Sequence, residues 1–201
     1  MAEALLHLLT WFSPAFPTGG FAYSGGLEWA VEQGLNDEAA LILWIEDSLA
    51  HGALWSDAVL LRLAYQGEDV ARLALVLCPG AERRLETSAQ GDAFAAAAGP
   101  WGGTEKAAYP VAAGRLAAAH GMALADTVLA YLHAGVAAQI SAAVRLIPLG
   151  QSAGLRVQKT LESAIRATVA QSESLELGTA SWAADIAGQQ HETQYTRLFR
   201  T

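Results

Sequence analysis

The sequence predicts an all-α fold, a single-domain helical bundle of about eight to ten helices. Alanine, leucine and other helix formers dominate the chain, while runs of β-branched residues are almost absent. No segment shows a sustained alternation of apolar and polar residues, which a half-buried strand would need. The 201 residues are 53% hydrophobic and contain no internal repeat or low-complexity linker. Length and composition therefore favour one domain over residues 1–201 with a sizeable core.

Prolines and glycines divide the N-terminal half into helices. A helix over about 3–11 ends in a loop with two prolines and four glycines, SPAFPTGGFAYSGGLE, which is called the opening loop below. A second helix leaves this loop at about residue 24 and continues to 32, with Gly34 as its C-cap. Asn36 or Asp37 caps a long helix to about residue 66, with a break near Gly52 as the alternative. Helices over about 68–77 and 81–98 are separated by Cys-Pro-Gly.

The C-terminal half follows the same logic. The Gly-Pro-Trp-Gly-Gly stretch at 99–103 is a second loop, and helices over about 110–119 and 124–146 come after it. Pro148 interrupts before a helix over about 151–172. A last helix is expected between Ser174 and Ala187, and the segment from about residue 188 forms a C-terminal tail.

Charge is distributed unevenly along the chain. The net charge of −8 argues against a nucleic-acid-binding protein. Residues 1–61 contain eight carboxylates and no lysine or arginine. Such an acidic front steers a basic protein partner towards the surface, or it is simply the solvated face of several helices.

The sequence argues for a cytoplasmic protein that does not span a membrane. The single cysteine, Cys78, excludes an internal disulfide and fits a reducing compartment. The start, MAEALLHLL, has no basic region or cleavage signal of a secreted protein. Residues 127–144 are uncharged, but their polar and small residues favour a buried helix over a spanning one. Its stripe of Ala134, Ala138 and Ala142 is expected to be buried, within the chain or at a dimer axis.

Patterns that carry chemistry are weak. The five histidines are scattered and the Cys and His spacings of metal sites are missing, so no metal site is predicted. The opening loop has the glycines of a phosphate loop but not its lysine. Ser24 is either a nucleophile without an evident base or, more simply, a helix cap. Trp101, in the second loop, is the tryptophan expected to be exposed for recognition.

Three stretches in matching order carry a family resemblance. They are Ser13-Pro14, Pro17-x-Gly19, Phe21, Tyr23-Ser24 and Gly26-Leu27-Glu28; then Pro148-Leu149-Gly150-Gln151; and last His191-Glu192-x-Gln194-Tyr195-x-Arg197-Leu198-Phe199-Arg200. Together they resemble the signatures of the urease accessory proteins of the F type, the UreF family. The resemblance spans nearly the whole chain.

The resemblance implies an all-α homodimer that is not an enzyme and needs no cofactor of its own. Such a protein joins the D-type (or H-type) urease accessory protein and recruits the nickel-carrying G-type GTPase, and the assembly inserts nickel into apo-urease. It acts there as scaffold and GTPase modulator. Two alternatives remain open: a metallochaperone that binds nickel directly, and an enzyme that uses the Ser24 loop.

The resemblance also points to partner-binding residues in three places. They are Phe21, Tyr23, Ser24, Glu28, Gly150, Gln151, Tyr195, Arg197, Leu198, Phe199 and Arg200. The tail is expected to become ordered on the D-type partner, or else to fold back onto its own core. The opening loop and Glu28 are expected to face the GTPase, with an internal packing role as the alternative.

Overall fold

The computed structural model describes residues 2–178 and 180–200, so both ends of the predicted 1–201 domain lie outside it. All regular secondary structure in these residues is helical, which confirms the all-α prediction. The α-helices are α1 (Ala2–Trp11), α2 (Leu27–Glu32), α3 (Glu38–His51), α4 (Ala53–Tyr65), α5 (Ala71–Val76), α6 (Ala81–Ala97), α7 (Tyr109–Ala119), α8 (Leu124–Leu146), α9 (Gly150–Gln171) and α10 (Trp182–His191). Short 3-10 turns lie at Gly20–Ala22, Gly99–Trp101 and Ser172–Ser174.

The long helix predicted up to residue 66 is broken at Gly52 into α3 and α4. Asp37 caps α3, because its Oδ1 accepts the N–H of Ala40 at 2.8 Å. A Cβ on Gly52 would lie 2.9 Å from the Cβ of Ser181, so the break also lets the chain before α10 approach closely.

The last helix begins eight residues later than the predicted limit of Ser174 and continues to His191. Leu175 adopts a left-handed conformation (φ 59°), which ends the preceding helical segment. Two residues of the segment that follows are held by the ends of α3 and α4. The indole of Trp55 donates to the carbonyl of Glu176 at 3.0 Å, and the N–H of Ala180 donates to the carbonyl of His51 at 2.9 Å.

The core lies between α4, α7, α8 and α9, with α3 packed across α9. All five of these helices contribute large, fully buried aliphatic residues to it: Leu41, Ile45, Leu49, Leu61, Leu116, Leu132, Leu161 and Ile165. Small residues bring α7 and α4 close together, since a Cβ on Gly114 would lie 2.4 Å from the carbonyl oxygen of Leu61. The bundle therefore positions α8 with one face in the core and the other towards the opening loop.

Helix α8 is long and apolar enough to cross a bilayer by length and composition. Its residues Val128, Leu132 and Val136 are fully buried against other helices, which is the packing of a core helix. The small-residue stripe is split: Ala142 is buried and Ala138 is exposed. Ala138 is thus not buried within the chain, and its burial at a dimer axis stays a prediction.

Aromatic residues join α1 to the second loop. Trp11, Phe12 and Phe16 are buried, and the half-buried ring of Trp101 lies with its centroid 6.1 Å from those of Trp11 and Phe16. The prediction that Trp101 is exposed for recognition is wrong, because α1 folds over the second loop. This packing fixes the start of the opening loop.

Candidate partner-binding site

The opening loop is shaped by glycines that take left-handed conformations. Gly19, Gly25 and Gly26 have φ values of 75°, 60° and 83°. Gly26 is also a point of close approach, because a Cβ there would lie 2.7 Å from the backbone nitrogen of Gly188 in α10. The loop is consequently packed directly on the last helix.

The two aromatic residues expected to act in recognition have opposite environments. Tyr23 is buried, whereas Phe21 is 76% exposed. Ser24 is buried, and its Oγ accepts the N–H of Glu28 at 3.5 Å, but the N-cap of α2 is Gly26, so the prediction that Ser24 is the cap is wrong. Of these three side chains, Phe21 is the one that the loop presents to solvent.

The C-terminal tail lies alongside the opening loop. The N–H of Arg200 donates to the carbonyl of Ala22 at 2.8 Å. The N–H groups of Leu198 and Phe199 donate to the two oxygens of the Glu28 carboxylate, at 2.6 and 2.9 Å. Phe199 is buried, with the guanidinium carbon of Arg145 4.2 Å from its ring centroid. The tail is thus ordered on its own chain, the alternative stated for it above.

A group of charged and ionisable side chains holds this arrangement; it is named the tail cluster and consists of the buried Glu28, Glu82 and His191 and of Arg197, whose side chain is 39% exposed. The ring of the fully buried His191 lies between two carboxylates, 2.8 Å from Glu82 and 3.1 Å from Glu28. Arg197 donates to the other oxygen of Glu82 at 3.0 Å. The two carboxylates are thus held by the His191 ring, the Arg197 guanidinium and two backbone N–H groups of the tail.

Glu28 is the centre of the tail cluster and is only 7% exposed. Burial by itself raises its pKa, but the N–H groups of Leu198 and Phe199 and the His191 ring favour the charged form and lower the pKa overall. The expectation of an exposed Glu28 facing a partner is wrong for this side chain. Its partners in the tail are 170 residues away in sequence, so local pattern could not reveal them.

The remaining predicted residues are mostly exposed. Gly150 (φ 74°) and Gln151 lie at the start of α9 and face solvent. In the tail, Tyr195 and Leu198 are 102% and 68% exposed, and Arg200 is exposed as well. The fold thus combines the opening loop and the tail into one surface with Phe21 and Leu198 on it, and this surface is the candidate partner-binding site.

A second group of buried charges was not foreseen from the sequence; it is named the groove cluster and consists of Asp57, Arg83, Glu86 and Tyr131. Arg83 donates to Asp57 at 2.6 Å and to Glu86 at 3.0 Å, and the Tyr131 hydroxyl donates to Asp57 at 2.7 Å. The cluster lies at the floor of a groove of about 520 Å³. The opening loop forms one wall of that groove.

Histidine, cysteine and carboxylate groups of the described residues form no group of three or more able to hold a metal ion. The half-buried thiol of Cys78 donates to the carbonyl of Ala74 at 3.3 Å. Burial raises the pKa of this thiol, which disfavours the thiolate that a metal ion would bind.

Comparison with known proteins identifies the family. The UreF family model matches residues 35–162, which is more than half of the chain. A urease accessory protein UreF of Bradyrhizobium diazoefficiens is 47% identical over 224 residues, covering 100% of this chain and 93% of its own length. One of Agrobacterium fabrum is 46% identical over 215 residues, covering 98% of this chain and 96% of its own length. This chain belongs to the UreF family.

The two kinds of match cover different parts of the candidate site. The stretch matched by the UreF family model includes Gly150 and Gln151 but neither the opening loop nor the tail. The alignments with UreF relatives extend over 98–100% of the chain. The resemblance first noted in the loop and the tail is therefore confirmed at the level of the UreF family.

Proposed function

We propose that this protein is a non-enzymatic urease maturation factor. It acts as a scaffold that joins the D-type accessory protein to the nickel-carrying G-type GTPase, modulates that GTPase, and takes part in nickel insertion into apo-urease. The relatives' name, urease accessory protein, supports a role in urease maturation. One structural observation carries the scaffold role: an ordered unit of loop and tail keeps large apolar side chains in solvent.

The exposed side chains of this unit are Phe21, Tyr195 and Leu198. Leaving them in water forgoes the stabilisation of about 1.5–3 kcal/mol that burying such a side chain brings. Their backbone is nonetheless fixed, because the Glu28 carboxylate and the carbonyl of Ala22 hold the tail. Rigid, exposed aromatic and aliphatic groups are typical anchors of protein–protein interfaces.

The polar residues of the loop serve the fold in this proposal. Ser24 is buried with its Oγ towards the N–H of Glu28, and Glu28 holds the tail. The loop therefore supports Phe21 and does no chemistry itself. Nickel is the cargo of the assembly, and the chain contributes surfaces to its partners and no cofactor.

We assign Tyr195, Leu198 and Arg200 to the D-type partner and Phe21 to the GTPase. Gly150 and Gln151 are further contact residues at the start of α9. The protein works as a homodimer in the cytoplasm. The tail presents two exposed apolar side chains, Tyr195 and Leu198, and the loop presents one, Phe21.

The test is co-purification of the protein with its D-type and G-type partners, with and without GTP. Leu198→Ala should remove the D-type partner and Phe21→Ala should remove the GTPase, while thermal stability stays unchanged because both side chains are exposed. Leu43→Ala is the matched control, as Leu43 is equally exposed on α3. Retention of both partners by the two variants would refute the assignment.

Deletion of residues 194–201 tests the same role by removing most of the tail at once. The deletion should also abolish co-purification with the D-type partner and leave the helical content nearly unchanged, because the described residues of the segment, 194–200, contain no α-helix. It removes two hydrogen-bond donors from Glu28, however, so stability should fall. A truncated protein that still binds the D-type partner would contradict the role of the tail.

The metallochaperone alternative is decided by equilibrium dialysis of the isolated protein with Ni²⁺. In our proposal the protein retains less than one nickel ion per chain at micromolar concentration. Stoichiometric retention would favour direct nickel binding.

A further inference from the structure

The groove described above lies between the opening loop, the exposed face of α8 and the last helix. Its walls include Phe21 of the loop, Trp44 of α3, Ala138 of α8 and Gly188 of α10. These walls consist largely of apolar or small residues. Because the side chain of Ala138 is only a methyl group, it does not fill the groove. A volume of about 520 Å³ is in the range of sites that enclose a ligand the size of a few side chains.

The floor of the groove has more negative than positive charge. Asp57 and Glu86 share the single guanidinium of Arg83, and their side chains are 10% and 14% exposed. The phenol of Tyr131 only donates a hydrogen bond to Asp57. Because burial and the nearby Asp57 raise the pKa of Tyr131, the phenol stays neutral. One negative charge of the groove cluster is therefore not balanced.

The rest of the groove adds no compensating charge. Among the lining residues that the structure describes, the other charged side chains are carboxylates, those of Glu82, Asp185 and Glu192. The opening loop and Trp44 come from residues 1–61, which contain no lysine or arginine. The acidic front seen in the sequence thus continues into an apolar groove with a desolvated acidic floor.

We propose that the groove binds an apolar segment of a partner protein and that a lysine or arginine side chain of this segment reaches Asp57 and Glu86. The aliphatic stem of such a side chain packs along apolar walls while its charged end reaches the carboxylates. A charge-assisted hydrogen bond to a desolvated carboxylate is stronger than a neutral one. The inference rests on the proposed scaffold role and states the chemistry of one contact.

The geometry favours a basic side chain over a compact divalent cation. Arg83 lies between the two carboxylates and occupies an oxygen of each, so a dication at the same position meets a guanidinium. A long side chain instead approaches from the groove and uses the remaining lone pairs. An acidic segment is repelled by the same floor.

The experiment uses the isolated full-length protein labelled with ¹⁵N at its tryptophan indoles. The probes are three blocked tripeptides, Ac-Leu-Arg-Leu-NH₂, its norleucine analogue and its glutamate analogue. The arginine peptide should shift the indole signal of Trp44, assigned with Trp44→Phe, and leave that of the exposed Trp182 unchanged. We expect its Kd to be at least about tenfold lower than that of the norleucine peptide.

Two variants locate the binding. Ala138→Leu fills the groove from an exposed position and should abolish the Trp44 shift without changing the melting temperature. Glu86→Gln removes the unbalanced charge and should make the arginine and norleucine peptides bind equally. Asp126→Asn, an exposed carboxylate outside the groove on the same helix as Ala138, should leave the preference intact.

Three results would overturn the proposal. Equal affinities of the arginine and norleucine peptides for the unmodified protein would show that the floor charge recognises nothing. A Ni²⁺ titration that shifts Trp44 and depends on Glu86 would make the groove a cation site. A change of oligomeric mass in Ala138→Leu would make it an interface between copies of this chain. Failure of the peptides leaves the co-purification test of the scaffold role unaffected, because no accessory partner is present.

Discussion

Two neighbouring residues of α6, Glu82 and Arg83, belong to two different charge clusters, which differ in how fully the chain itself supplies their hydrogen-bond partners. In the tail cluster, Glu28 and Glu82 meet His191 and Arg197, and two backbone N–H groups complete the hydrogen bonds. In the groove cluster, two carboxylates share one guanidinium. Every carboxylate oxygen of the first cluster has a partner within the chain, whereas the second cluster has two carboxylates for one guanidinium and lies beside a cavity.

The difference suggests two roles for carboxylates in the interior: those of the tail cluster hold the fold together, and those of the groove cluster can still accept a hydrogen bond from a partner. A buried ion pair adds little net stability, but losing one member leaves an uncompensated charge at high cost. The tail cluster is fully paired and fixes the tail on the opening loop. The groove cluster has acceptor capacity left over and opens to the groove, where a donor from outside can reach it.

The largest effect is expected from Arg83→Met, which leaves Asp57 and Glu86 buried without a cation. The free energy of unfolding should fall by about 3–5 kcal/mol, measured by urea denaturation. Arg84→Met is the control, since Arg84 is exposed on the same helix and should change stability by no more than about 0.5 kcal/mol. Similar losses in the two variants would show that the groove cluster contributes nothing specific.

A somewhat smaller loss is expected from Glu28→Ala in the tail cluster. Two N–H groups of the tail and the His191 ring lose their acceptor, so stability should fall by about 2–3 kcal/mol. Hydrogen exchange at Leu198 and Phe199 should become fast.

Glu32→Ala is the matched control for this change. Glu32 lies on the same helix and also contacts the tail, accepting from Gln194 at 2.7 Å, but it is exposed. It should cost less than about 1 kcal/mol. If Glu28→Ala is as mild as Glu32→Ala, the tail is not held by the buried carboxylate.

Acid should act on the tail through the lowered pKa of Glu28. A carboxylate whose pKa is lower in the folded state contributes stability above its unfolded pKa, about 4.3 for glutamate, and loses it as the pH falls through the folded pKa. The amides of Leu198 and Phe199 should therefore lose protection from exchange as the pH falls below about 4.3. Protection that persists in strong acid, while the helices stay folded, would contradict this.

The smallest effect is expected from Glu86→Gln. Arg83 keeps Asp57 as a one-to-one partner, so stability should change by no more than about 0.5 kcal/mol. The equivalent change in the tail cluster is Glu82→Gln. It removes the negative charge of the side chain that contacts both His191 and Arg197, so the free energy of unfolding should fall by about 1–3 kcal/mol. Thermal melts of the two variants compare the clusters directly. Equal losses of stability would contradict the proposed difference between the tail cluster and the groove cluster.

Local signals in the sequence determined the helices and their ends. Asp37 caps α3 as predicted, because a cap needs only the first turn of its own helix. The prolines and glycines that delimit the helices act on their own φ angles, so their effect can be read without tertiary contacts. The motif order in the opening loop and the tail was enough to predict the family.

Tertiary structure decided what covers each side chain. Helix α10 begins only at Trp182, since Glu176 and Ala180 hydrogen-bond to Trp55 of α4 and His51 of α3, and Trp101 is half-buried against α1. The environment of Glu28 depends on His191 and on the tail, more than 160 residues away. The periodicity of α8 identified a face of small residues. It could not show that Ala138 on this face lines a groove.

The sequence by itself therefore determined the fold class, the helices and the family, since these depend on propensity, caps and motifs along the chain. The partner contacts of Phe21, Gln151 and Leu198 stay predictions, with the structure showing these side chains to be exposed. Only the tertiary structure decided which charges are paired and which are left over. Glu82 and Arg83 are adjacent in sequence, but successive residues of a helix point in different directions, about 100° apart, and so reach different partners.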